Sequence, residues 1–138
     1  MWSLCNEKGE VLEPLRFSNG KTQEDVVGEV VQKIRDGHRV VFMRGVCGSG
    51  KSAIALNIAR ALGRGSVVVP VKYLQQQYVH DYVEKMWLAK ENGERLRITV
   101  LTGRNNHPCV YNKACSADDP LIPCHIRITK ENEDLVKL

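Results

Sequence analysis

The sequence predicts an α/β fold in which a parallel β-sheet is flanked by helices. Three observations carry that expectation. Short apolar, β-branched segments (residues 39–43, 67–69 and 96–101) alternate with longer segments of helical character, the rhythm of parallel strands joined by crossover helices. The first such segment runs into a glycine-rich stretch, residues 45–52, and then into the strong helix former of residues 52–62. Finally, 43% hydrophobic residues in a chain of 138 suffice for one core and argue for a single domain or part of one.

Residues 2–17 read as a small hairpin, with Trp2, Leu4, Val11, Leu12 and Leu15 on either side of the polar turn 6–9 and Pro14 weakening its second arm. Cys5 belongs to the core of that hairpin. Residues 18–22 form a loop. Thr22 can cap a helix over residues 23–36, because Asp25 stands three positions later as a shortened capping box. Val26, Val27, Val30, Val31 and Ile34 make its apolar face, and Asp36-Gly37 stops it. After the glycine-rich stretch and its helix, residues 63–66 break the chain. Pro70 closes the strand at 67–69. A second long helix is expected from Tyr73 to Lys90, then a charged turn at 90–94 and the third strand. From Gly103 onward the character changes to a cysteine- and proline-bearing loop. The sequence therefore divides into residues 1–103 and 104–138.

The formal net charge of +4 is mild; it permits a phosphate-rich partner without demanding one. No segment approaches the apolar length of a membrane helix, and charged residues follow the N-terminus too soon for a secretory leader. The expected location is intracellular, cytoplasmic or nuclear. In that compartment five cysteines point to metal or cluster ligation rather than to disulfides.

Residues 45–52 read Gly-Val-Cys-Gly-Ser-Gly-Lys-Ser, the G-x-x-x-x-G-K-[ST] pattern of a phosphate-binding loop. Backbone N–H groups of such a turn cradle phosphates, and the start of the following helix lends them its positive end. Gly45, Val46, Cys47, Gly48, Ser49 and Gly50 would form the cradle. Lys51 would reach the β/γ-phosphates of ATP, and the Ser52 hydroxyl would hold Mg²⁺. Cys47 fills a variable position. Further on, Cys109, Cys115 and Cys124 lie close together in a loop, as a soft metal or iron–sulfur site requires. Their spacing is not that of a zinc ribbon, and His107, His125 or Asp118 could complete the set.

These segments resemble the iron–sulfur DNA helicases of superfamily 2, the DinG and XPD group. Residues 21–25 resemble the upstream glutamine element, which implies an adenine contact for Gln23. Residues 45–52 are similar to motif I. Residues 69–77 look like motif Ia, which implies a DNA contact for Lys72. Residues 103–109, Gly-Arg-Asn-Asn-His-Pro-Cys, resemble the G-R-x-N-Y-x-C segment that carries the first cluster cysteine, with Arg104 beside the DNA path. The resemblance implies an incomplete RecA-like motor domain and a 4Fe-4S cluster on Cys109, Cys115 and Cys124. It also implies single-stranded DNA and the remainder of the helicase as partners, and no membrane. It departs at Val69 and Val71, where threonines are usual, at His107 in place of tyrosine, and in the missing fourth cysteine.

An NTPase also needs a carboxylate at a strand end to hold Mg²⁺. The third strand ends in Leu101-Thr102-Gly103 without one. The expectation is thus the ATP-binding N-terminal part of a larger ATP-dependent helicase, with weak binding and negligible turnover on its own. Two alternatives stay open: a small phosphate-loop kinase or phosphotransferase, and a nonenzymatic metal-binding module.

Overall fold

The computed structural model describes residues 2–103 together with Asn106 and His107. The chain divides into two compact units, residues 1–99 and 100–138.

Three α-helices build the first unit: α1 (Gln23–Arg35), α2 (Lys51–Ala61) and α3 (Lys72–Val79). α1 forms where its start signal predicts. The Thr22 side chain accepts from Asp25 N, and the Asp25 carboxylate accepts from Thr22 N at 2.7 Å, so both halves of the capping box are made. α1 packs on α2. Between them and the N-terminal arm lies the core, with Trp2, Leu4, Val27, Val31, Ala53, Ile54, Leu56 and Leu88 buried. Burying a side chain such as Ile54 or Leu88 contributes about 1.5–3 kcal/mol each.

The expected α/β core is not formed. Among the described residues there is no β-strand and so no parallel, RecA-like sheet. The described residues make four isolated antiparallel bridges, Cys5–Val11, Cys5–Trp87, Arg16–Thr22 and Ala89–Arg95. The unit is helix-dominated. Residues 39–43, 67–69 and 96–101 have strand-like side chains but form no strand; Leu96 N donates to Leu88 O beside the Ala89–Arg95 bridge. A parallel strand draws all its backbone bonds from distant segments and needs cover on both faces. Here the helices spend their apolar faces on each other and on the N-terminal arm. Phe42 is left 95% exposed and Val68 92% exposed.

What pairing exists is local. Three turns share one geometry. Asn6 N donates to Glu10 O and Gly9 N to Asn6 O; Phe17 N donates to Lys21 O and Gly20 N to Phe17 O; Lys90 N donates to Glu94 O and Gly93 N to Lys90 O. Each closes on a glycine with φ of 81–83°. This is a type I turn followed by a left-handed glycine, the three-residue hairpin loop. The hairpin expected around residues 6–9 is the first of them.

The long helix expected from Tyr73 to Lys90 is shorter. α3 ends at Val79, a π-helical turn runs from His80 to Lys85, and Met86 is extended. The reason lies in Trp87 and Leu88. Trp87 exchanges both backbone hydrogen bonds with Cys5, at 2.7 and 2.9 Å, and Leu88 is fully buried. Pairing with the N-terminal arm wins over further helix.

A polar clasp ties the unit together. Asn57, in the middle of α2 and wholly buried, accepts from Ser3 N at 2.9 Å and donates to Ala53 O at 3.0 Å. The Ser3 hydroxyl donates to Ala89 O and accepts from Ala89 N. In the second unit, Asn106 N and Nδ2 both donate to Gly103 O at 3.0 Å, and the Thr102 hydroxyl lies 2.9 Å from His107 Nε2.

Candidate phosphate-binding loop

Residues 45–52 curl tightly onto the amino end of α2. Ser49 Oγ donates to Val46 O at 2.9 Å. Gly48 and Gly50 have φ of 79° and 71°, the left-handed region that a side chain resists. At Gly45 the demand is for space instead: a Cβ there would sit 2.8 Å from Ser49 Oγ, and that side chain would have to turn away. The glycines of the pattern thus answer two separate steric demands.

Gly50 is the N-cap residue of α2 and offers no side-chain cap. The first backbone bond of the helix is Ile54 N to Gly50 O, at 3.0 Å. The N–H groups of Lys51, Ser52 and Ala53 therefore precede the helix's own ladder. No acid stands in the first turn. An amino end of this kind, carrying a partial positive charge and no internal anion, is suited to an external one.

Lys51 is exposed, and its Nζ donates to Gly45 O at 3.2 Å and to Val46 O at 2.7 Å. An ammonium has three protons, so one remains for a phosphate oxygen while the loop stays closed. Cys47 is exposed and free. Ser52, second in α2, lies beside Tyr82. Burial pushes the Tyr82 phenol up to about 12, Tyr78 and Asp81 act the same way, and the Ser52 side chain and Ala53 backbone oppose them.

Gln23 sits under the loop. It is 3% exposed, and its Nε2 donates to Ser49 O at 3.1 Å. Its Oε1 accepts from Leu15 N at 2.9 Å, while its own N donates to Leu15 O at 3.0 Å. The structure thus brings Gln23, residues 45–52 and Tyr82 to one place. Lys72 is exposed in the first turn of α3. Arg104, Cys109, Cys115 and Cys124 lie outside the described residues.

The sequence reading missed Tyr82 as a neighbour of Ser52, and Asn57 as the buried clasp. Asn57 left a signal, a polar residue on the apolar face of a helix. Tyr82 left none, because its position depends on where α3 ends.

The residues present fit a Mg²⁺-bound triphosphate through the Lys51 and Ser52 amides, a lysine within the loop and a hydroxyl at the second helical position, although that hydroxyl and the Ala53 amide also meet the Tyr82 phenol. Among the described residues, no cluster of three His, Cys, Asp or Glu side chains could hold a metal ion, and no helix is long and apolar enough to cross a membrane. No protein-family model matches the chain, and neither does any curated protein or any solved structure.

Proposed function

We propose that the chain binds the Mg²⁺-bound triphosphate tail of ATP through residues 45–52. One observation carries this reading: the amino end of α2 has no side-chain cap, no acid in its first turn, and a lysine as its first residue. Lys51 draws the β/γ-phosphates, the loop N–H groups donate to their oxygens, and the Ser52 hydroxyl faces the cation. Mg²⁺ would supply charge neutralisation between the phosphates. The reading needs no parallel sheet, because the cradle is built locally by the turn and the helix start.

The wider role, ATP binding within a DNA helicase of the iron–sulfur group, rests on residues 69–77 and 103–109 of the sequence. In that role Lys72 and Arg104 touch single-stranded DNA, and Cys109, Cys115 and Cys124 hold the cluster. Hydrolysis by this chain is expected to be negligible, because residues 96–101 run directly into Thr102-Gly103 with no carboxylate at that end.

Calorimetry with Mg·ATP tests the core of the reading. Binding is expected in the wild type and a loss of about tenfold or more in Lys51→Ala, the removal of one charge-assisted contact. Heat that is absent, or that survives Lys51→Ala undiminished, overturns it.

A further inference from the structure

We infer that Gln23 is a positioning residue for the phosphate loop and not a reader of the base, so that the site takes nucleoside triphosphates without regard to base. The inference rests on the triphosphate site proposed above and names what that site ignores.

The amide of Gln23 is already committed at both ends. Its oxygen completes the pairing of Leu15, whose backbone N–H and C=O both go to Gln23. Its nitrogen holds Ser49 O. At 3% exposure the side chain is closed to a ring approaching from solvent. A base could reach it only by displacing the loop that binds the phosphates.

What Gln23 does for the loop follows from the peptide plane. The described chain has no cis peptide bond, so the N–H of residue 50 points opposite to the C=O of residue 49. Drawing Ser49 O inward onto Gln23 turns the Gly50 N–H outward, away from the buried amide. Glycine at position 50 makes that peptide easy to flip, and the Gln23 bond is what selects one orientation. Packing is equally close: a Cβ on Gly50 would lie 2.1 Å from Gln23 Nε2. The glycine that opens the helix and the glutamine beneath it are matched parts.

The test uses the full chain with Mg·ATP, Mg·GTP and Mg·tripolyphosphate in calorimetry, and amide exchange at Gly50 without ligand. Gln23→Glu keeps the acceptor for Leu15 N and sets an oxygen against Ser49 O. The wild type is expected to bind ATP and GTP within about threefold of each other. Gln23→Glu is expected to weaken all three ligands by the same factor, about tenfold, and to slow Gly50 exchange, as that N–H turns inward onto the new carboxylate, while Val27 and Ile54 exchange stays slow. A wild-type preference for ATP over GTP beyond about tenfold overturns the inference, and that arm needs no variant to fold. So does a Gln23→Glu effect confined to ATP, or a Gly50 amide that does not respond. If the wild type binds none of the three ligands, the triphosphate reading fails, while the exchange arm still decides whether Gln23 holds the loop.

Discussion

The amino ends of α1 and α2 start from the same electrostatics and resolve them in opposite ways. Each helix begins with three N–H groups that its own ladder leaves over. α1 satisfies its end from within: Thr22 and Asp25 exchange hydrogen bonds, and Glu24 and Asp25 put two carboxylates in the first turn. α2 begins with left-handed Gly50, then Lys51, with neither cap nor acid. The first arrangement contributes stability and excludes an anion. The second forgoes roughly the 1 kcal/mol a good cap provides and leaves room for one. A helix start that gives up this stabilisation at a glycine turn is what the proposed triphosphate site would require.

The contrast can be broken from either side. Gly50→Ala has the largest expected effect. It forces a left-handed alanine, costing about 1–2 kcal/mol. It also thrusts a methyl group into Gln23, so melting temperature and Mg·ATP binding should fall together. Thr22→Ala removes the cap of α1 and should cost about 1 kcal/mol in chemical denaturation. Its effect on nucleotide affinity should be small, since the phosphate loop keeps its own bonds.

Ser52→Asp gives α2 the acidic first turn of α1. It should raise stability by about 0.3–1 kcal/mol while weakening Mg·ATP, two shifts of opposite sign in one variant.

The smallest effects are in pH. The Thr22 hydrogen bonds hold the Asp25 carboxyl below its ordinary value. A depressed carboxylate stabilises the fold above its unfolded pKa, and that contribution is lost as pH falls through the lowered value. The phenol of Tyr82 is raised to about 12. Its contribution is intact below the unfolded value near 10 and lost as pH climbs from there toward 12. Melting curves against pH should therefore lose part of the acid limb in Thr22→Ala and part of the alkaline limb in Tyr82→Phe.

What the sequence made legible is what neighbouring residues decide. Thr22 and Asp25 announce α1, the glycine pattern announces the loop and the start of α2, and the polar turn at 6–9 announces one of the three hairpin turns, while residues 18–22 and 90–94 read only as a loop and a charged turn. The parallel sheet was read from composition at residues 39–43, 67–69 and 96–101. β-branched side chains make a strand plausible, but only a distant partner makes one real, and no periodicity names that partner. The same limit hid the Cys5–Trp87 pairing, which ends the third helix early. At the site, loop and lysine were readable because the motif is contiguous. The amide of Gln23 was not, because it meets Ser49 across 26 positions.

Ser3 cannot finish its hydrogen bonds until Ala89 has been synthesised, 86 positions later. Closing a loop of that length costs about 4 kcal/mol in chain entropy, and Trp2, Leu4 and Leu88 return it only when they meet. Until then Asn57 has an amide oxygen without its backbone partner, and the aromatic start of the chain stays wet. On the ribosome, both candidate partners of a nucleotide, the glycine turn and its lysine, emerge well before the clasp that steadies α2 behind them. The unit should thus acquire its rigidity late and all at once, when its first residues meet its last.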